Sequence, residues 1–144
     1  MCLYIKESFV AEKPIIAYKI GKISCGAFLS FYQQAIIPFN RLYKDPEFNK
    51  ENVLHENYIT HRFNGYTWDS KTITNGFLHA YQRLSTATSL KPKRYDGYRI
   101  YKVIIPKGSV GFYGRHNDIC ANQMIILNPE QSNYSEICKE YNLS

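Results

Sequence analysis

The thirty residues from Tyr98 to Leu127, YRIYKVIIPKGSVGFYGRHNDICANQMIIL, constrain the fold more than any other part of the chain. Arg99 to Ile105 carries β-branched or aromatic residues at five of seven positions, the profile of a strand buried on at least one face. Side chains alternate across a strand, so Tyr101, Val103 and Ile105 share one face and Ile100, Lys102 and Ile104 the other. Ile105-Pro106-Lys107-Gly108 predicts a β-turn, with proline presetting φ at its second position and glycine at its fourth. Val110 to Gly114 reads as a second short strand and Gly114 to Asp118 as a polar loop. Ile119 to Leu127 reads as a third extended segment, polar at Asn122 and Gln123. Three strands so closely linked predict an antiparallel meander, because a parallel crossover needs a dozen or more residues.

The rest of the chain supports a sheet-rich reading. Pro14 to Ile23 predicts a strand with Ile16, Tyr18 and Ile20 on one face. Gly21 marks a bulge or a close approach by another group. Ala27 to Ile37 is dense in aromatics and reads as strand, and the polar window Lys44 to Asn57 as a surface excursion. Asn64-Gly65, between alternating aromatic and β-branched residues, predicts a two-residue hairpin turn. Asn75-Gly76 predicts a second turn before a strand from Phe77 to Gln82. Ser85 to Leu90 predicts a short helix capped by Ser85. Near the C-terminus, Asn133 and Glu136 form a capping pair, and Tyr134, Ile137, Cys138 and Tyr141 follow at helical spacing.

At 144 residues the chain fits one domain, residues 1–144, large enough for a core without staples. The expected fold class is therefore α+β: a single compact domain with a mostly antiparallel, twisted sheet of about six strands and one or two short helices. Thirteen tyrosines suit half-buried sheets and binding surfaces equally. The net charge of +6 is compatible with an anionic partner and equally with plain solubility. The N-terminus lacks the charged lead and apolar core of a secretion signal, and no apolar stretch approaches the roughly 18 residues of a membrane span. These features predict a cytoplasmic protein with no membrane partner and with reduced thiols at Cys2, Cys25, Cys120 and Cys138.

Several motifs carry a resemblance. Met1-Cys2-Leu3, Ile15-Ile16-Ala17-Tyr18-Lys19, Gly76-Phe77-Leu78-His79-Ala80-Tyr81, Ile104-Ile105-Pro106-Lys107-Gly108-Ser109 and Ala121-Asn122-Gln123-Met124-Ile125-Ile126 are similar, in the same order, to a family of small uncharacterised proteins of bacteriophages and bacteria. The resemblance covers most of the chain apart from the polar central insert. It implies a phage or mobile-element setting, in which a role against a host defence would fit. A weaker likeness is to the ADP-ribosyltransferase fold, with its early strand bearing a polar residue, its glycine-aromatic strand before a helix, and its late strand after a Pro-x-Gly turn. That likeness implies NAD as cofactor, with Tyr18 and His79 as ligand-binding residues. The late strand of that fold carries a catalytic glutamate. Here Asn122 and Gln123 stand near that place, with no Glu between Glu56 and Glu130.

The candidate ligand-binding residues are Tyr18, His79, Tyr81, Asn122 and Gln123. A neutral imidazole at His79 can hydrogen-bond a ribose or act as a general base, or it can be a structural histidine near a strand end. Tyr18 can hold a ligand or face the core, and its neighbour Lys19 is expected in solvent. Buried amides must be paired, so at least one of Asn122 and Gln123 is expected at a cleft, a strand edge or a turn. A side-chain amide can position a ligand but cannot replace a carboxylate that stabilises an oxocarbenium-like state. Binding is therefore expected rather than catalysis. Tyr18, His79 and Asn122, each the polar member of an apolar or aromatic segment, are expected to line one cleft. Lys91, Lys93, Arg94 and Arg99 interleave with Tyr95, Tyr98 and Tyr101, a pattern that can hold phosphates and stack bases, or simply form a solvated connection. His55, His61 and His116 are scattered, so no metal site is expected.

The leading expectation is a small binding protein without a cofactor that engages an anionic small molecule (such as a nucleotide), a nucleic acid or a host protein. An NAD-using transferase-like enzyme and a structural or nucleic-acid-associated phage protein are the alternatives.

Overall fold

The computed structural model describes residues 3–31, 35–48, 59–62, 70–73, 76–92 and 97–143. Its strands in chain order are β1 (Leu3–Val10), β2 (Ile15–Ser24), β3 (Ala27–Ser30), β4 (Ile36–Ile37), β5 (Leu42–Lys44), β6 (Ile59–Arg62), β7 (Ser70–Ile73), β8 (Leu78–Tyr81), β9 (Arg99–Ile105), β10 (Val110–Gly114), β11 (Asp118–Ala121) and β12 (Gln123–Ile126). Among the described residues there are two helices, α1 (Leu84–Leu90) after β8 and α2 (Tyr134–Glu140) after β12. The order β5-β12-β9-β2-β8-β11-β10-β1-β7-β6 is one hydrogen-bonded path, and β3 and β4 branch from β2. Every pairing between named strands is antiparallel.

The α+β, antiparallel reading holds, but among the described residues the sheet has twelve strands, ten of them on one path, rather than about six. One reason is that extended runs read as single strands are broken. Ile119–Leu127 divides at Asn122 into β11, which pairs β10 and β8, and β12, which pairs β9 and β5. Ala27–Ile37 divides into β3 and β4. The meander forms only in part: β10 and β11 pair antiparallel as expected, but β9 pairs β2 and β12 while the other edge of β10 pairs β1. The turn between β9 and β10 sits one residue later than expected: Ser109 N–H donates to Pro106 O at 3.2 Å, and Gly108 takes φ 87°. Ala11, just beyond β1, exchanges hydrogen bonds with this turn, which draws β10 away from β9. The predicted Asn64-Gly65 turn and Asn75 lie outside the described residues; β6 and β7 pair antiparallel, with Arg62 opposite Ser70.

Strand β2 organises the sheet. It pairs β9 from Ile15↔Ile105 to Gly21↔Arg99 on one edge. On the other edge it meets β8 at Tyr18↔Tyr81, then pairs β3 from Gly21↔Ser30 to Ser24↔Ala27. Its two faces differ as alternation requires. Ala17 packs into the largest core cluster with Phe28, Tyr101, Val103, Ile105, Leu78, Ala80, Ile119, Met124 and Ile126. Ile20 and Tyr18 pack under α1 with Tyr81 and Ala87, while Ile16 packs with Ile104, Ile125 and Leu127 against Ile137 and Tyr141 of α2. Gly21 is the close approach the sequence suggested. A Cβ built there would lie 2.3 Å from the Phe28 ring and 2.5 Å from Leu29 O.

Both helices form where expected, but not through their expected caps. Helix α1 is preceded by Arg83, with no side-chain cap, so Ser85 lies inside it. Before α2, Asn133 adopts φ 64° and makes no cap bond. Its Nδ2 donates instead to Asn40 O at 3.1 Å. No helix among the described residues is long and apolar enough to cross a membrane.

Candidate functional site

Arg99 opens β9 opposite Gly21, so the end of β2 beyond Gly21 runs past the start of β9. Lys22, half-buried, places its Nζ 5.1 Å from the centre of the Tyr98 ring. A cation over an aromatic face is held by the ring quadrupole. Beside this, a groove of about 440 Å³ is lined by Arg99, Tyr101 and Lys102 of β9 and by Asn128, Glu130 and Tyr134. It adjoins a depression of about 550 Å³ that includes Lys22, Ser24 and Gly97. Arg99, Tyr101 and Glu130 line both. Arg99 thus borders both hollows, with Lys102 in the groove and Lys22 in the depression, and Glu130 is the carboxylate common to the two. The Tyr101 phenol is pushed above its ordinary value, mainly by burial, with Glu130 adding to the rise and Arg99 opposing it.

The far wall of the groove, Leu127 to Glu130, is fastened from inside. Leu127 N–H donates to Lys102 O at 3.0 Å. Asn40, only 1 % exposed, donates from Nδ2 to Asn128 O at 2.9 Å and accepts Asn128 N–H on Oδ1 at 2.7 Å. Its backbone sits at φ 58°, a region asparagine tolerates better than most residues. Asn128 Oδ1 in turn accepts Glu130 N–H at 3.0 Å. The wall is thus set before any ligand arrives, because a side chain locked by hydrogen bonds need not be ordered on binding.

The residues singled out from sequence fall in separate places. Tyr18 and Tyr81 stand directly opposite each other on β2 and β8, beneath α1. His79 is 6 % exposed, and its Nδ1 has no hydrogen-bond partner. Burial, then the charge of Lys19, pulls its pKa down to about 3, so the ring is neutral near pH 7. Its cross-strand partner is Cys120, a fully buried free thiol whose pKa burial pushes up. A neutral imidazole beside a protonated buried thiol is not an activated nucleophile pair. Asn122 Oδ1 accepts Val110 N–H at 2.9 Å, and Gln123 Nε2 donates to Ser109 Oγ at 3.1 Å. These amides secure the break between β11 and β12. The single cleft expected for Tyr18, His79 and Asn122 does not form: Ala121, next to Asn122, pairs Leu78, about 10 Å along β8 from Tyr81.

Lys19 corrects another expectation. It is 4 % exposed, not solvated, and its Nζ donates to the main-chain oxygen of His79. The cause is the branch in the sheet. Beyond Tyr18 the edge of β2 turns from β8 to β3, and there the lysine ammonium ties β2 to the His79 carbonyl of β8.

Of the basic segment, Arg99 lines the groove and Lys91 ends α1, its N–H bonded to Ala87 O at 3.0 Å. Lys93 and Arg94 lie outside the described residues. Lys22, Lys102, Glu130, Tyr134 and the Asn40 clasp were not found from sequence, because they meet through strand register rather than chain proximity. Among the described residues no cluster of His, Cys, Asp or Glu could hold a metal ion. No family model, curated protein or solved structure matches the chain.

Proposed function

We propose that this chain is a binding module for a ligand that joins phosphate to an aromatic base: a nucleotide, either free or within single-stranded nucleic acid. The site is the groove along β9, and the observation that carries the reading is that Arg99 lines both this groove, with Lys102 and Tyr134, and the adjoining depression, with Lys22. Guanidinium and ammonium groups hold phosphate oxygens through charge-assisted bonds. Tyr134, half-buried at the groove, offers ring surface for a base. Glu130 can accept from a base amino group or a sugar hydroxyl. A volume of about 440 Å³ falls within the range of small-molecule sites. The biological part of the proposal, a phage or mobile-element protein acting against a host defence, rests on the motif resemblance alone.

Calorimetric titration with mononucleotides and with a short single-stranded oligonucleotide tests the reading. Saturable binding that Arg99→Ala weakens supports it. No saturable binding of either probe would refute it, and turnover of NAD by the purified chain would return the transferase reading.

A further inference from the structure

A second polar cleft, of about 410 Å³, lies on the other arm of the sheet and shares no residue with the groove. It is lined by Lys6, Arg83, Arg115, Gln82, Tyr113 and Asn117, with Glu7 as its single carboxylate. We propose that this cleft binds a compact phosphate-type oxyanion, such as inorganic phosphate or a phosphomonoester.

The three cations come from three separate segments, and local backbone structure brings each one in. Ile5 pairs Gly114 while Glu7 pairs Tyr113, so Lys6 is the extra residue of a β-bulge. Bulges re-aim a side chain and recur beside functional sites. Arg115 follows β10, and its N–H donates to Tyr4 O at 3.0 Å. The turn that carries it is tightened by Asp118, whose Oδ1 accepts His116 N–H at 3.3 Å, and by Asn117 at φ 59°. Gly114 must be glycine here, since an added Cβ would lie 1.9 Å from Asp118 Oδ1. Arg83 is brought alongside by Gln82, whose N–H donates to Asn117 O at 2.7 Å and whose Nε2 donates to Asp118 O at 2.8 Å.

Two guanidinium forks and one ammonium outnumber Glu7 and the adjacent Asp118 carboxylate, which leaves the cleft with an excess of positive charge. Arginine forks match the paired oxygens of a phosphate. The polar lining and the lack of a broad apolar floor favour a compact oxyanion over a base-bearing ligand, which the β9 groove suits better.

Thermal melting in inorganic phosphate, with ionic strength held constant by chloride, tests the proposal. The expected result is a saturable rise in melting temperature, since a ligand that binds only the folded state stabilises it. The rise should be lost in Arg83→Ala and in Arg115→Ala and retained in Arg99→Ala. Arg83→Lys and Arg115→Lys, which keep the charge but lose the fork, should weaken it at least tenfold in phosphate concentration at half-effect. Phenyl phosphate should act at the same residues if a phosphomonoester fits. No saturable rise in the unaltered chain, or a rise that survives both alanine variants, would overturn the proposal. So would a rise lost only in Arg99→Ala.

Discussion

The Lys19 ammonium donates to the main-chain oxygen of His79 at the point where β2 parts from β8. One buried cation thereby ties β2 to β8 beyond their last paired residues. Burial lowers its pKa from 10.5 to about 8. Between those values the unfolded chain holds a proton that the folded chain has shed, so this residue makes stability rise with pH across that window. Below about pH 8 both states are protonated, and the folded state carries the full desolvation penalty. Lys19→Met removes this dependence. Relative to that variant, the unaltered protein should gain up to about 1.4 kcal/mol per pH unit between pH 8 and 10 in urea unfolding. A difference that stays flat over this range would contradict the assignment.

His79 gives the opposite end of the pH scale. Its folded pKa of about 3 lies below the ordinary 6.5. The stability it contributes is present above about pH 6.5 and is lost as the pH falls toward 3, because the unfolded state takes up the proton first. The acid-side loss, up to about 1.4 kcal/mol per pH unit, should be absent in His79→Leu. His79→Ala should lower stability by about 2–4 kcal/mol, as other core truncations do, and leave groove binding by the folded fraction intact. Loss of binding without loss of stability would make His79 a ligand residue after all.

Gly21 has no room for a side chain against Phe28, which is fully buried and held by edge-to-face contacts with Phe39 and Tyr101. Gly21→Val should destabilise the fold by about 1–3 kcal/mol through overpacking. Chemical denaturation reads this directly, and an unchanged midpoint would show that the ring can move aside.

Asn40 links stability to the groove. Asn40→Ala leaves the Asn128 N–H and C=O without their buried partners, at about 1–3 kcal/mol for such a loss. It also places alanine at φ 58°. Nucleotide affinity of the folded protein should fall with it, because the Leu127–Glu130 wall loses its inner fastening. Reduced stability with unchanged affinity would separate the clasp from the site.

The sequence made visible what depends on local periodicity. The faces of β2 and β9 followed from alternation, and α2 from the spacing of Tyr134, Ile137, Cys138 and Tyr141. Partnership was hidden. Nothing in Ile119–Leu127 announced that Asn122 would pass the chain from β8 and β10 to β5 and β9, which raised the strand count. Lysine at position 19 read as solvated because the branch from β8 to β3 beside it is a property of three strands together. Arg99 was legible as part of a basic run, whereas Lys22 comes to the depression beside Arg99 only through the β2–β9 register, and Asn40 reaches Asn128 across 88 residues.

The most direct measurement of the proposed function is the salt dependence of single-stranded oligonucleotide binding. Each cation that neutralises a phosphate contributes about −0.7 to the slope of log affinity against log salt concentration. Removing Lys22, Arg99 and Lys102 together as alanines should therefore flatten the slope by about 2 and weaken binding at low salt. A slope and affinity unchanged by the triple substitution would show that the β9 groove is not where this protein holds an anion.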